Sequence, residues 1–579
     1  PGFAAALDSL IAELQGALVS PTDLRTAAEA AGDSAAELEI ASLYAAYERL
    51  RDGAGRADAA SVAAAAAGAV DADPAAWGGR PVLVYGFDDL TESQLALLAA
   101  LAGGADVAIA VSYADRRALS ARARLLARLE QELGAERVAD LEFDPAYSQR
   151  ASLRHLSTSL FEPDAARVER DDGLRLLDCA GERGEAEAVG LEVARLLARG
   201  VDPNRIVVVL RQPTASGRLY ASVLHELGVP VALEAPVEIG ATAAGQALIR
   251  LCRAASPDGK PQDLIAHLRA DPSQRPGPLD WLERAVARGE ATTVAEVAAR
   301  WDSPPANLAR VLEAGTDAAR LRAVAVAARR LAEGAHRERA PLARERSGGV
   351  PLDPVELRAG IAAAELLEEL ALSASLPGCE APTLAEAAEA LASATVPAWV
   401  GPAEGRVRIL SPYRARAAAA THLFCCGLQE GLFPGRGALD PLLGERARAR
   451  LGIAALRRRE QPEEERYLFS VCASRPTERL YLTWRSSDED GHPAARSPFI
   501  DEVLDLVGDG SPEAEEKMTA TRSLARPVPN VGEASTERTL ARATVLATGL
   551  DAERGRELLA GVGADLPTSG AVLGLIAGI

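Results

Sequence analysis

Hydrophobic residues recur along this chain with two periods, one typical of helices and one of buried strands. Helical spacing dominates residues 1–78, in FAAALDSLIAELQGAL and in LEIASLYAAYERL. A short apolar run, PVLVYGF, then precedes a helical pattern, TESQLALLAALA, and a second apolar run, DVAIAVS. Strand, helix and strand at this spacing predict a parallel α/β unit.

A second α/β block begins near Gly173. The predicted strands are LRLLDCA, RIVVVLR and VPVAL, separated by the helical GEAEAVGLEVARLLARG and GRLYASVLHELG. From about Thr242 to Val400 the pattern is almost wholly helical, and the strands RVRILS, THLFCCGL and ERLYLTW follow it. After about residue 510 the chain turns polar and irregular, which predicts a linker.

Composition narrows the class of protein. The net charge of −20 argues against indiscriminate binding of nucleic acid, although a basic groove on an acidic body remains compatible with it. No apolar run approaches the roughly 20 residues of a membrane span. The six cysteines lack CxxC spacing, which fits a reducing cytoplasm, and Cys425 and Cys426 are predicted core residues. A start at Pro1 and a single methionine, Met518, suggest an internal fragment of a longer protein.

The segment Glu463–Trp484 carries the most specific pattern, EEERYLFSVCASRPTERLYLTW. It resembles the last motor motif of UvrD/RecB-type helicases, EEERRLFYVAxTRAxxxLYLS. In that family the arginine of the TRA turn touches the γ-phosphate of ATP, and Arg475 holds that place here. A fixed guanidinium suits the negative charge that develops during phosphoryl transfer.

Two further segments resemble motifs of the same family. IVVVLRQPTASGRLY is similar to the fourth motif, which puts Arg211 at the place of a second γ-phosphate arginine; an ordinary surface arginine is the simpler alternative. RVRILSPYRARAAAATHLFCCGLQEGLFP is similar to the fifth motif, whose loop contacts single-stranded DNA. The resemblance therefore makes Ser411, Arg414 and Arg416 candidates for DNA contact, with a solvated basic loop as an equally weighted alternative. Ala419 replaces the glutamate that would hold the ribose.

The second motor motif departs from that of active helicases. Its metal-binding Asp-Glu pair is replaced by Tyr85 and Gly86, and Asp88 and Asp89 follow one turn late. The sequence GFDDLTESQ instead resembles the GFxxFTxxE of AddB-like helicase-nuclease subunits. This departure favours that subfamily and argues against an intact ATPase site.

Several patterns are absent or weak. The sequence contains no GxxxxGK[ST] phosphate loop, and its histidines show no metal-ligand spacing, so no metal site and no catalytic residue are predicted in this chain. Glu515-Glu516-Lys517 matches a nuclease signature by letters only and is assigned to the linker. The arginine-rich run from Arg446 to Arg459 is interpreted as a solvated helix face, with DNA contact as the alternative.

The resemblance implies two RecA-like (P-loop NTPase-type) α/β lobes, the first incomplete, with large α-helical insertions. The implied segments are a helical insertion (1–78), the rest of the first lobe (79–165), the second lobe in two parts (166–241 and 401–510), a helical insertion (242–400), and a linker (511–579) towards a nuclease domain.

The implied function is DNA double-strand-break repair by an AddB-like helicase-nuclease subunit. It would use ATP and Mg²⁺ in the full-length protein or its complex, bind DNA ends and single-stranded DNA, and pair with an AddA-like subunit in the cytoplasm, away from membranes. The alternative is a non-enzymatic, RecC-like scaffold subunit that grips DNA.

Overall fold

The computed structural model describes most of the chain in two compact units. One unit comprises Glu234–Gly401, and the other contains the remaining described residues. The described residues are 2–32, 34–138, 144, 147–270, 276–301, 308–337, 354–376, 378–435, 437, 440–456, 461–522, 530–531, 537–548 and 551–561.

The larger unit begins with four helices, as the apolar spacing predicts. They span Phe3–Gly16, Pro21–Ala31, Ala35–Gly53 and Ala59–Ala72. Leu10, Leu14 and Tyr44 are among the residues that form their shared core. Because Ser20 and Asp58 accept hydrogen bonds from backbone N–H groups of the first turns, two of these helices start at capping boxes.

A two-stranded parallel sheet follows. Strands β1 (Val82–Val84) and β2 (Val107–Ile109) pair directly, and the helix Glu92–Ala102 connects them. One face of this sheet lies near a small core that contains Leu95 and Leu125, the latter from the helix Ser120–Glu132. This arrangement confirms the predicted parallel α/β unit.

The centre of the larger unit is a seven-stranded sheet in which every neighbouring pair is parallel. Its spatial order is β11-β3-β10-β9-β4-β8-β5. The strands are β3 (Leu174–Ala180), β4 (Ile206–Leu210), β5 (Val231–Leu233), β8 (Val407–Leu410), β9 (Ala420–Cys426), β10 (Pro476–Ser487) and β11 (Thr519–Arg522).

Burial explains the central position of β4. All five of its residues, IVVVL, are buried, as expected for a strand that is covered on both faces. Cys425 and Cys426 of the adjacent β9 are also buried, so the prediction that they are core residues is confirmed. The helices of the sheet region span Ala151–Ser159, Glu182–Ala198, Pro213–Glu226, Pro412–Ala415, Glu445–Leu451, Gln461–Ser474 and Pro498–Leu504.

The Glu234–Gly401 unit is mainly helical. Its helices span Ala243–Ala254, Pro261–Ala270, Pro276–Ala287, Val294–Arg300, Leu308–Glu313, Asp317–Arg337, Pro354–Leu372 and Leu384–Ser393. It also contains a short antiparallel pair that the helical pattern did not predict, β6 (Pro236–Glu238) with β7 (Thr395–Pro397). The prolines at the ends of these three-residue strands hide their strand character in the sequence.

The predicted linker from residue 511 onward is wrong for its described part. The helix Pro512–Met518 leads directly into β11, which pairs with β3 at the edge of the large sheet. The sequence TATR is short and polar because an edge strand buries only part of its surface, so it gives little periodic signal. Glu515 and Lys517 lie on that helix, and two further helices span Glu537–Thr548 and Ala552–Gly561.

None of the described helices is by itself both long and apolar enough to cross a membrane. The helices Phe3–Gly16 and Pro21–Ala31, which meet at a bend of 98°, reach that length and composition only when they are taken together.

Candidate nucleotide and nucleic-acid site

Two of the predicted site residues follow neighbouring strands of the large sheet. Arg211 comes directly after β4 and Ser411 directly after β8, and Val209 of β4 is in register with Leu410 of β8. Ligands of open parallel α/β sheets bind outside the carboxyl ends of the strands. The fold thus brings Arg211 and Ser411 to one ligand-binding edge.

The side chain of Arg211 is already engaged by a buried carboxylate. Its Nη2 lies 2.6 Å from Oε1 of Glu465, and its Nε lies 3.1 Å from both oxygens of that carboxylate. Glu465 is 1% exposed and also accepts the backbone N–H of Gly435 at 2.9 Å. Burial lowers the pKa of Arg211, but the hydrogen bonds and charge of Glu465 outweigh burial, so that this pKa is raised overall.

Glu465 is the last of three consecutive glutamates, each of which pairs with a different arginine. Glu463 accepts from Arg124, and Glu464 accepts from Nη2 of Arg122 through both oxygens at 3.1 Å. These glutamates open the helix Gln461–Ser474. The acidic start of the motif therefore joins that helix to the helix Ser120–Glu132 and to the end of β4.

Asp88 lies at the centre of a second group of contacts. Its carboxylate accepts the hydroxyl of Tyr467 at 2.5 Å and a guanidinium N–H of Arg416. Nη1 of Arg122 donates to the backbone carbonyl of Asp88 at 2.5 Å, and Nε of Arg122 lies 4.0 Å from the carboxylate. The Arg122 guanidinium also stacks over the ring of Tyr467, 3.8 Å from its centroid.

Arg475 lies next to Arg416 but away from Arg211. Nη1 of the exposed Arg475 donates to the backbone carbonyl of Arg416 at 3.0 Å. Glu465, the partner of Arg211, and Arg475 are ten residues apart. They are thus separated by about 15 Å along a helix that rises about 1.5 Å per residue. The structure therefore joins Arg475 to a candidate DNA contact, and not to the other candidate nucleotide contact.

The remaining candidates lie on the segment that follows β8. The backbone carbonyl of Ser411 accepts the N–H groups of Arg414 and Ala415, both at 3.0 Å, and so starts the short helix Pro412–Ala415. The side chain of Arg414 is exposed, as is that of Ala419. Tyr413 lies 5.8 Å below the guanidinium of Arg211, which connects this segment to the end of β4.

The described residues do not fit a magnesium site in the second motif. Tyr85 is 85% exposed, and neither it nor Gly86 has a carboxylate. The nearest carboxylate downstream, that of Asp88, is held by Arg416 and Tyr467 and faces Arg122. Because Mg²⁺ needs oxygen ligands free of competing cations, we derive no step through a metal at this position.

The loop that contains GLQEGLFP is attached at both ends to buried glutamates. Glu465 binds the N–H of Gly435, and Glu185 accepts the N–H of Gly427 at 2.7 Å and the hydroxyl of Thr483. Burial raises the pKa of the fully buried Glu185, opposed by its hydrogen bonds and by the nearby Arg485. Sequence analysis missed both glutamates and Arg122, although Glu465 was visible in the acidic run.

The basic run near Arg446 is not a solvated face throughout. Arg448 is buried against Glu13 and Asp440, and Arg450 pairs with Glu37. These partners come from the first helices and a loop that precedes the run, so the run fastens structural elements together. Residues 457–459 of the run lie outside the described residues.

One exposed turn gathers metal-type ligands. Single ligand atoms of Asp488, Asp490 and His492 lie within 4.8 Å of one another. The Asp488 carboxylate already accepts the backbone N–H groups of Asp490 and His492, at 3.0 and 2.8 Å. We assign no metal to this turn because its geometry is explained by these hydrogen bonds.

Comparison with known proteins identifies one informative relative. An ATP-dependent helicase/deoxyribonuclease subunit of Pelotomaculum thermopropionicum is 24% identical over 511 residues, which cover 76% of this chain and 42% of the relative. The chain therefore spans less than half the length of the curated relative that it matches. No family model matches the sequence.

Proposed function

We propose that this chain belongs to an AddB-like helicase-nuclease subunit that binds and processes DNA ends in double-strand-break repair. The observation that carries the proposal is the spatial arrangement of the motifs. Arg211, Ser411 and the loop after β9 follow adjacent strands of one parallel sheet, and Arg475 joins the segment after β8 through Arg416. The similarity to a helicase/deoxyribonuclease subunit covers most of the chain and supports this assignment.

In this proposal the two α/β parts correspond to RecA-like motor lobes, and Ser411, Arg414 and Arg416 contact single-stranded DNA. Hydroxyl and guanidinium groups bind backbone phosphates without reading the base sequence. Arg211 and Arg475 contact ATP in the full-length protein or its complex. A phosphate at Arg211 must displace Glu465, whereas the exposed Arg475 can reach a phosphate without losing a carboxylate partner.

DNA binding provides the direct test. We expect the chain to bind labelled single-stranded oligonucleotides and blunt duplex ends in fluorescence anisotropy. Arg414→Gln should lower the slope of log K against log salt by about 0.7, the value for one lost phosphate contact on a single strand. Arg288→Gln, in the helical unit, removes the same charge and should leave the slope unchanged. If neither DNA binds at low salt, the proposal is wrong.

Addition of an AddA-like motor subunit separates the proposal from its alternative. The helicase-nuclease assignment predicts ATP-dependent degradation of linear duplex, with ATP affinity of the chain reduced roughly tenfold in Arg475→Ala. Tight DNA binding without any effect of Arg211→Ala or Arg475→Ala on ATP binding would instead indicate a RecC-like, DNA-gripping scaffold.

A further inference from the structure

The group around Asp88 has the composition of an oxyanion site. Three donors converge on one carboxylate region: the Tyr467 hydroxyl, the Arg416 guanidinium and the Arg122 guanidinium. Two of them are almost fully buried, since Arg122 is 1% exposed and Tyr467 is 2% exposed. Two guanidiniums and a hydroxyl are also the donors that bind a phosphate group in proteins.

Arg122 is incompletely used by its present partners. Its Nη groups donate to the Asp88 carbonyl and to Glu464, but its buried Nε has no hydrogen-bond acceptor in the described part of the chain. The nearest carboxylate oxygen, Oδ1 of Asp88, lies 4.0 Å from that nitrogen. Because a buried unsatisfied donor is costly, this site gains from an oxyanion that reaches further than a single carboxylate.

The occupant of the site is attached to an exposed loop. Asp88 follows Gly86, whose φ of +81° is readily adopted only by glycine, and the flanking Tyr85 and Phe87 are 85% and 49% exposed. The described residues around this loop therefore leave its aromatic side chains in solvent. The loop can withdraw Asp88 without removing a buried apolar side chain from the core.

We propose that Arg122, Arg416 and Tyr467 form a phosphate-binding site, in which the Asp88 carboxylate is an internal substitute for the phosphate. A phosphate group displaces Asp88 and takes over its hydrogen bonds. The site rests on the proposed function and deepens it, because Arg416 is a candidate DNA contact and its carbonyl holds Arg475. Two sources supply the same chemistry, the backbone of single-stranded DNA and a nucleotide, and binding measurements distinguish them.

Asp88→Asn tests the exchange, with Asp89→Asn as the matched control that removes an equal charge from the same loop. We expect Asp88→Asn to bind oligothymidylate roughly fivefold more tightly at low salt, with a steeper salt dependence. Arg416→Gln in the Asp88→Asn background should abolish the gain. A gain for ATP or inorganic phosphate but not for oligothymidylate would retain the site and assign it to a nucleotide.

A measurement on the unmutated chain guards against a variant that fails to fold. Hydrogen exchange of residues 85–91 should accelerate in inorganic phosphate compared with chloride at equal ionic strength, and Arg416→Gln should remove the difference. Equal exchange in both salts, together with identical ligand affinities of the Asp88→Asn and Asp89→Asn variants, would overturn the site. Phosphate-dependent exchange without any DNA binding would support the site and contradict the proposed function.

Discussion

Arg122 and Arg448 are buried to the same degree, 1% exposed, but their guanidinium groups are held differently. Arg448 donates from Nε to the Leu443 carbonyl, from Nη1 to Leu456 and Glu13, and from Nη2 to Glu13 and Asp440. Arg122 donates from both Nη groups, whereas its Nε has no acceptor among the described residues.

This difference separates a structural arginine from a binding one. A guanidinium has five N–H donors in a fixed plane, and a fully paired one has no capacity for a ligand. Arg448 therefore acts as a fastening between the helices Phe3–Gly16 and Glu445–Leu451, through Glu13. Arg122 keeps an unused donor close to an exchangeable carboxylate. Incomplete pairing of a buried charge is thus a better sign of a binding site than burial itself.

Removal of the fully paired arginine should have the largest effect. Arg448→Ala leaves Asp440 and Glu13 without their cation, so we expect the free energy of unfolding to fall by about 3–5 kcal/mol in urea denaturation. Arg446→Ala, an exposed position on the same helix, should change it by about 0.5 kcal/mol or less. Equal losses in the two variants would mean that Arg448 is not a structural fastening.

Arg122→Met should destabilise less and should remove a binding property. The Glu464 side chain, which is 25% exposed, regains water when its partner is lost, so the expected loss is about 2 kcal/mol. The response of residues 85–91 to phosphate should disappear at the same time. A variant that loses stability but retains the phosphate response would show that Arg122 is as structural as Arg448.

Glu185 extends the comparison to a buried acid, through pH. Burial raises its folded-state pKa above the ordinary value of 4.5, so the unfolded chain loses this proton at lower pH than the folded chain. Stability from this group is therefore full below about pH 4.5 and declines as pH rises towards the folded pKa. Melting temperatures of Glu185→Gln between pH 4 and 8 should decline less than those of the unmutated chain. A parallel decline in both proteins would contradict this assignment.

The smallest effect is expected at a surface pair, Arg150 and Glu478. Their closest atoms are 3.3 Å apart and both side chains are substantially exposed, so solvent screens the attraction. Glu478→Ala should change the free energy of unfolding by about 0.3 kcal/mol or less. A loss close to that of Arg122→Met would show that exposure does not distinguish these ion pairs.

The sequence predicts the strands of the large sheet because most of them are continuous apolar runs. IVVVL and LRLLDCA bury nearly every residue, so their patterns survive in any context. The edge strand TATR and the proline-flanked strands β6 and β7 bury little, and the pattern therefore missed them. Local hydrophobicity predicts what lies in the core and much less of what lies at an edge.

The partners of the charged residues could not be predicted in the same way. Tyr467 meets Asp88 across 379 positions, and Arg448 meets Glu13 across 435. No periodicity connects residues so far apart, which is why the arginine-rich run was interpreted as solvated. The family resemblance singled out Arg211, Arg416 and Arg475 as residues to examine, but only the fold reveals which carboxylates now hold the first two.

The short β6–β7 ladder has a consequence for the order in which the chain folds. Strands β5 and β8 are neighbours in the large sheet although the whole Glu234–Gly401 unit separates them in sequence. Closing a flexible loop costs entropy that rises by about 0.6 kcal/mol for each doubling of its length. Because β6 and β7 pair at the two ends of that unit, its completed fold brings together the points where the chain enters and leaves it. The inserted unit can then act as a preassembled clasp, which shortens the effective distance over which the last strands must find the first.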